Sequence, residues 1–465
     1  MKLGAIIACD GNIGQLEVMG ITDNSLKVKK GFVFVDIHNN PQYRADAVKN
    51  GAVALVVQNK TNFKNQIIVE NTVKAFSEMS ARWFNNPADK LKLIGVTGTN
   101  GKTTITYLLK EILEAAGKKV GVIGTIQNLV CGEVIPTVNT TPNAFELNRL
   151  FSTMLENGCE YVILEVSSHA LDMGRVEGLR FNTAVFTNLT QDHLDYHKDM
   201  ESYYLAKKKL FSMCDNAVIN IDNEYGKRLF NEIECNKKSI SLENNADYIA
   251  KSLNLQPRFT EYKLLTDKID HIKVNLPGKF SVYNSLCAIA ASDYLGISRE
   301  TITLALKSFR GVNGRAEVLN NTGDFTVVID YAHTPDGLKN ILKTFKECKK
   351  NRLILLFGCG GDRDKTKRSL MGEIASIYAD YVIVTSDNPR TEDPKAIISD
   401  IVKGILPSKS HKILENRREA IKFALSIAEK DDIIVLAGKG HETYQIIGNE
   451  KIHFDEREVV KQALS

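Results

Sequence analysis

Short apolar runs of strand length, separated by helix-length stretches of mixed polarity, recur along most of this chain. Over the first 88 residues Gly31 opens one such run at 32–37 and Gly51 another at 52–57, a pattern that predicts a small α/β domain. The polar stretch "NNPADK" then interrupts the series around Pro87. From residue 91 to about 310, runs at 120–123, 161–166, 183–186 and 217–221 alternate with helical periodicity, which predicts a parallel sheet in a doubly wound domain. A second series follows "GVNGR", with runs at 325–329, 353–357, 381–385 and 433–437, and predicts a smaller Rossmann-like domain. The reading is therefore an α/β chain of three domains: 1–88, a small N-terminal α/β domain; 89–310, a central parallel-sheet domain; and 311–465, a C-terminal Rossmann-like domain. Neither heptads nor a repeat of 20 to 50 residues interrupts this pattern.

Composition narrows the class. A length of 465 residues exceeds the roughly 250–300 at which one hydrophobic core stops growing, which agrees with several domains. The net charge of +4 is too small an excess for a nucleic-acid or membrane-surface protein. The apolar run at 3–9 is too short to span a bilayer and has no signal-peptide flanks, so a cytoplasmic protein without a membrane span is expected. Eight cysteines are scattered without a CxxC pair, which argues against a disulfide framework or a zinc ribbon and for reduced, mostly buried thiols.

The sharpest chemical signal is "GVTGTNGKTT" at 95–104. It follows an apolar run and precedes a helix whose apolar positions Ile105, Leu108, Leu109, Ile112 and Leu113 keep helical spacing up to Gly117, giving the strand, loop and helix of a P-loop. Gly98 and Gly101 leave backbone N–H groups free to curl round phosphate oxygens at a helix N-terminus, with Thr99, Asn100 and Thr104 completing the loop. Lys102 adds a mobile charge, and Thr103 offers a hydroxyl to Mg²⁺. The strict GxxxxGK[ST] spacing is not met, because Val96 stands where it needs glycine. Glu165, closing the run 161–164, sits where an open α/β sheet presents its ligands and can give Mg²⁺ a hard oxygen. His193 and His197, four apart, would share a helix face and taken alone suggest zinc, although no third soft ligand lies nearby.

This loop, together with "TTPNAFELNRL", "EVSSHAL", "FTNLTQDHLDYH", "YYLAKKKLF", "YNSLCAIAA", "GVNGRAE", "DYAHTPD", "GCGGDRD", "SDNPRTEDP" and "AGKGHETYQ", resembles the Mur ligases block by block and in order across 91–445. Those enzymes use ATP to join an amino acid to a growing peptidoglycan stem peptide. The resemblance implies an ATP-binding central domain, an N-terminal domain for the UDP substrate, a C-terminal domain for the amino acid, and an acyl-phosphate intermediate. It implies two Mg²⁺ ions on Thr103, Glu165, His193 and Lys207, with Lys207 carbamylated by CO₂; the residues alone would read Lys207 as one of three solvated lysines. Lys102, Glu165, His193 and Lys207 are the implied catalytic set. Asn284 resembles an adenine contact, and Arg315 and Asp330 resemble nucleotide contacts at the linker and third domain, where closure would exclude water from the intermediate.

For the acyl substrate, UDP-MurNAc-L-Ala-D-Glu, Thr140, Thr141, Ser167 and Arg175 resemble family contacts, while Met173 replaces a usual glutamine. "DNPR", Asp387, Asn388, Pro389 and Arg390, has the form associated with meso-diaminopimelate: an arginine fork suits the distal carboxylate that lysine lacks. Pro389 and Asn388 also suit an ordinary turn. Arg363, Gly438 and Glu442 match the remaining amino-acid contacts, Glu442 being placed to pair with the distal ammonium. The N-terminal domain departs most from the family: Asn24 and Leu26 replace an expected Asp and Arg, and Ser25 remains as the contact near the UDP moiety. The expectation is a monomeric ligase acting on small molecules. Set against it are a paralogue with another acyl substrate, a folylpolyglutamate synthase, a retired Mur-like scaffold, and, last, a generic GTPase or kinase.

Overall fold

The computed structural model describes residues 1–9, 11–267 and 269–465. The chain divides into two compact units, Met1–Asp247 with Cys287–Thr301, and Tyr248–Leu286 with Ile302–Ser465. Both are α/β, as the alternation predicts.

The first unit opens with a four-stranded parallel sheet in chain order, Gly20–Thr22, Phe32–Val35, Ala54–Val57 and Gln66–Ile68. Helix Thr72–Trp83 packs Phe76 and Met79 on one face beside Val33, Val35 and Val56. Phe34, Leu55 and Val57 point to the other face with Ala47 of helix Pro41–Lys49. Burial on both faces explains why these strands read as continuous apolar runs without alternation.

The same unit carries a second, larger sheet. Its parallel strands run Asn236–Ser241, Cys214–Asn220, Phe181–Phe186, Lys92–Thr97, Tyr161–Glu165 and Val120–Ile123, and the antiparallel hairpin Asn128–Val130 and Glu133–Ile135 extends the last edge. Lys92–Thr97 is central. Its chain leaves toward Val120–Ile123 on one side, whereas Phe181–Phe186 pairs on the other, so the loop after Thr97 sits at a switch of strand order, where open α/β sheets bind ligands. The register sets Val96 opposite Glu165 and Thr97 opposite Phe186, bringing the ends of both neighbouring strands beside the loop.

The second unit begins with an antiparallel meander, Tyr248–Leu255, Thr260–Leu265 and Ile269–Val274. Its main sheet has the order Glu317–Val318, Thr326–Asp330, Ile433–Ala437, Leu353–Phe357, Tyr381–Val384 and His411–Ile413, all parallel except the first pair. Asp330, Ala437 and Phe357 end in register. The segments that follow them therefore leave the sheet at one edge, where sequence blocks far apart in the chain can meet. Among the described residues no helix is long and apolar enough to cross a membrane.

Candidate functional site

In the first unit the strand extends through Thr97 and the helix Lys102–Ala115 starts at Lys102, leaving 98–101 as the loop. Gly98 (φ +147°) and Gly101 (φ +91°) hold backbone angles that a side chain resists, and a Cβ on Gly98 would collide with Thr187 Oγ1. The loop is moulded by the segment after Phe186. Thr99 N donates to Asn188 O (2.9 Å), Asn100 N to Asn188 Oδ1 (3.0 Å), and Thr187 Oγ1 to Asn100 O (2.6 Å).

Two ammonium groups converge on this loop. Lys102 Nζ donates to Gly98 O and Thr99 O, both at 2.9 Å, and Lys207 Nζ donates to Gly98 O at 3.0 Å. Lys207 is only 1% exposed and lies 4.6 Å from the Tyr203 ring centre. It is therefore no solvated lysine like its neighbours Lys208 and Lys209, which pair with surface acids Glu232 and Asp172. Burial, and then the Lys102 charge, hold the Lys207 ammonium well below the usual lysine range, while Asp192 opposes that shift.

Glu165, 1% exposed, is held beside the first turn of the helix. Its Oε2 accepts from Thr103 Oγ1 (3.0 Å) and Thr125 Oγ1 (2.9 Å), and its Oε1 from Thr125 N (3.0 Å). Thr125, which the sequence did not single out, also meets Thr140 Oγ1 at 3.1 Å and so joins the carboxylate to the 140–141 block. Thr141 Oγ1 donates to Glu165 O (2.8 Å) and accepts from Ser167 N (3.1 Å), and Arg175 Nη1 donates to Thr141 O (2.9 Å). These four polar residues thus surround one turn of chain. Met173, in the glutamine position, still accepts weakly from Arg175 through Sδ at 3.4 Å.

The two histidines lie one turn apart, His197 N donating to His193 O (3.0 Å), and both rings pack against His169 and Tyr203. His193 is the N-cap of a single turn, Leu194–His197, with φ +53°, and is half exposed beside Asp192 at 3.6 Å. His197 is buried, stacks on Tyr203 and meets Ser168 Oγ at 2.9 Å, which makes it a structural group. A third histidine, His169, lies edge-on to His193 with ring centres 5.0 Å apart. Among the described residues no three His, Cys, Asp or Glu side chains converge as a metal-binding group. The hard oxygens of Thr103 and Glu165, 3.0 Å apart, fit an oxygen-seeking ion such as Mg²⁺ better than zinc.

Near the N-terminus Ser25 is buried, and its carbonyl accepts from Asn50 Nδ2 (3.0 Å). Asn24 serves as a local cap, taking a hydrogen bond from Leu26 N at 2.9 Å, which leaves Leu26 exposed. Asp23, pushed above its ordinary value by burial, accepts from Asn143 Nδ2 at 3.1 Å and ties this segment to the 140–143 block.

In the second unit Asn284 is buried on helix Lys279–Tyr294. Asp330 spends both oxygens on backbone, from Ala316 N (2.7 Å) and Ala332 N (2.8 Å), so it fixes the turn that carries Arg315. Arg315 lies 4.9 Å from the Tyr331 ring centre, and its buried Nε has no partner. Tyr331 in turn packs against His333 and His441, ring centres 4.6 and 4.9 Å away.

The 387–390 block meets the 438–442 block at the sheet edge. Arg390, at φ +52°, exchanges backbone hydrogen bonds with the segment 446–448 and donates from Nη1 to Gly361 O (2.7 Å). Asn388 Nδ2 donates to Glu442 Oε2 at 2.9 Å. Lys439, whose side chain is wholly buried, donates to both Asn388 Oδ1 and Glu442 Oε2 at 3.1 Å. Among the described residues Glu442 Oε1 has no hydrogen bond. A similar cation backs Asp387: buried Arg417 bonds Glu456 and Ala437 O, and its Nη1 faces Asp387 Oδ2 at 3.9 Å, both atoms unpaired. Gly438 (φ +116°) leaves the space this carboxylate needs, since a Cβ there would sit 2.6 Å from Asp387 Oδ2. Pro389 is buried, and Arg363 is exposed beside this block. Lys439 lay within a motif already noted, but a lysine between glycines gives no sign of burial; Arg417 carried no signal at all.

Comparison with known proteins agrees with this picture. The family model described as "Mur ligase middle domain" matches residues 96–292, and "Mur ligase, glutamate ligase domain" matches 314–440. A UDP-N-acetylmuramoyl-L-alanyl-D-glutamate–2,6-diaminopimelate ligase of Caldanaerobacter subterraneus subsp. tengcongensis is 47% identical, the alignment covering 97% of this chain and 95% of that protein. One of Clostridium acetobutylicum is also 47% identical, over 96% and 95%. A solved structure of a ligase with the same name superposes with a TM-score of 0.75 at 32% identity, covering 100% of this chain and 98% of that one.

Proposed function

Because this chain belongs to the Mur ligase family, we propose that its two polar clusters are the working parts of an ATP-dependent ligase that joins meso-diaminopimelate to the D-glutamate γ-carboxylate of UDP-MurNAc-L-Ala-D-Glu in peptidoglycan synthesis. The observation that carries the reading in the first unit is the convergence of Lys102, Lys207, Thr103 and Glu165 on one glycine loop at a helix N-terminus. Lys102 and Lys207 share the Gly98 carbonyl, and burial together with the Lys102 charge favours a neutral Lys207, so Lys102 is the cation offered to phosphate oxygens.

The reaction needs the ATP γ-phosphoryl group transferred to the carboxylate, giving ADP and an acyl phosphate. The amine then adds to the acyl carbon, and the tetrahedral intermediate expels phosphate. Positioning and charge neutralisation dominate such transfers. Lys102 exchanges its carbonyl partners for phosphate oxygens, and the N–H groups that open helix Lys102–Ala115 face the phosphates, those of Thr99 and Asn100 being held by Asn188. Thr103 and Glu165, with His193 and Lys207, would hold the Mg²⁺, which supplies charge neutralisation for the phosphoryl group when bound. Burial favours the neutral amine of Lys207, the form that attacks CO₂ and loses a proton to become a carbamate. Thr140, Thr141, Ser167 and Arg175 hold the muramoyl peptide, and Ser25 the UDP end. Asn284, Arg315 and Asp330 serve the nucleotide.

In the second unit Arg390, with Arg363 beside it, offers a fork to the distal carboxylate of diaminopimelate. Asp387 and Glu442 take its ammonium groups, and Asn388, Pro389 and Gly438 set their positions. The division into domains 1–88, 89–310 and 311–465, a monomeric state and a cytoplasmic location complete the proposal.

Phosphate release with ATP and Mg²⁺ tests it. Release is expected only when both UDP-MurNAc-L-Ala-D-Glu and meso-diaminopimelate are present. No release with the full set of substrates would instead support a scaffold or a paralogue with another acyl substrate.

A further inference from the structure

The eight cysteines are all unbridged, yet two of them, 28 residues apart in sequence, point their sulfurs at each other. Cys131 and Cys159 have their Sγ atoms 3.2 Å apart. Cys131 is exposed in the two-residue turn between strands Asn128–Val130 and Glu133–Ile135; Cys159 is buried just before strand Tyr161–Glu165.

The turn makes this placement informative. Val130 pairs with Glu133, so Cys131 and Gly132 are its two central residues, with φ +50° and +91°. That is the primed turn of a tight hairpin, in which Asn, Asp or Gly is preferred at the first position because other side chains resist a positive φ. A cysteine accepts the backbone cost here and directs its sulfur inward, toward Cys159 and Asn157 O (3.5 Å). Backbone strain at an exposed reactive residue is a pointer to function.

We propose that Cys131 and Cys159 form a redox modification site that hydrogen peroxide converts reversibly into a disulfide. The Cys131 thiolate attacks the peroxide oxygen, giving a sulfenic acid and hydroxide. The Cys159 sulfur then attacks the Cys131 sulfur, and its proton leaves with the sulfenic oxygen as water. Two thiols are oxidised by two electrons, and one peroxide is reduced to two waters. Exposure selects Cys131 as the first sulfur oxidised. Burial pushes the Cys159 thiol up, so it keeps its proton until that second step, while the Lys119 charge nearby pulls the other way. The bridge would close the segment 131–159, which includes Thr140 and Thr141.

The full-length protein is treated with hydrogen peroxide, its remaining thiols are alkylated, and its proteolytic peptides are weighed. The expected result is a Cys131–Cys159 cross-link, lighter by two hydrogens and opened by dithiothreitol, formed ahead of any link between the other close pair, Cys214 and Cys235, whose sulfurs are 3.7 Å apart. In Cys159→Ser, dimedone should trap Cys131 as sulfenic acid. Cys131→Asn, which supplies the residue the turn prefers, should fold and form no link at Cys159. Peroxide that leaves Cys131 as a thiol, or that oxidises it without linking it to Cys159 in the unaltered protein, would overturn the proposal.

Discussion

The two polar clusters solve opposite electrostatic problems. Around the glycine loop of the first unit, Lys102 and Lys207 lean on the same carbonyl, Gly98 O, while Glu165 accepts from Thr103 and Thr125. In the second unit each acid is backed by a buried cation, Glu442 by Lys439 and Asp387 by Arg417. The first cluster offers a phosphate chain one mobile cation, Lys102, beside a lysine that burial keeps neutral. The second is nearly balanced before any ligand arrives, as suits a zwitterion whose charges must be read one by one. Both sites need fixed geometry, the first to align a phosphoryl group with its acceptor and the second to read the charges of an amino acid separately.

The largest effects should come from the glycine-loop cluster. Lys102→Ala is expected to lower ATP-dependent turnover by roughly 10²–10³-fold, the scale of losing one group that stabilises charge in a transition state. Lys207→Ala should cost a comparable factor, and Lys207→Arg should not restore it, because a guanidinium forms no carbamate. Turnover within a few-fold of the unaltered enzyme in either Lys207 variant would break the contrast.

Next come changes in the balanced cluster, which should appear in KM. Lys439→Met removes hydrogen bonds to Asn388 and Glu442, and should raise the KM for diaminopimelate about tenfold or more, the equivalent of the 1.5–3 kcal/mol of a charged hydrogen bond. The KM for ATP should stay unchanged. If both constants rose together, Lys439 would be a general structural support. Arg390→Lys should lower selectivity for diaminopimelate over lysine several-fold, since an ammonium cannot reproduce a planar fork.

The smallest effect concerns acid stability. Arg368 holds the Glu392 carboxyl down to about 2 from 4.5. A carboxyl lowered in the folded state adds stability that is full above pH 4.5 and is lost as pH falls toward about 2. Circular dichroism through that window should show Glu392→Gln less stable at neutral pH, with the difference from the unaltered protein vanishing near pH 2. A difference that persists at pH 2 would assign the effect to packing.

The same contrast explains what the chain discloses before it folds. The glycine loop is contiguous, so its residues, spacing and following helix are all visible in one stretch. The second cluster is assembled from segments 358–363, 387–390, 417 and 438–442, which meet only because parallel strands end in register. Arg417 and Lys439 acquire their roles through burial, which no local pattern encodes. Lys207 shows the same limit, since three lysines in a row look solvated until helix packing buries one. The His193–His197 spacing correctly gives one helical turn but hides that His197 is buried against Tyr203 and Ser168 while His193 stays half exposed. The first strand of the meander, Tyr248–Leu255, escapes notice because it mixes buried and exposed positions irregularly, with a bulge between Lys251 and Asn254. The apolar parallel strands, buried on both faces, are legible throughout.

The most direct test of the account offers the enzyme UDP-MurNAc-L-Ala-D-Glu, ATP and Mg²⁺ with equal concentrations of meso-diaminopimelate and L-lysine, and weighs the product. The account predicts that the diaminopimelate adduct dominates, and that its excess shrinks in Arg390→Lys. A lysine adduct in equal or greater amount from the unaltered enzyme would contradict it.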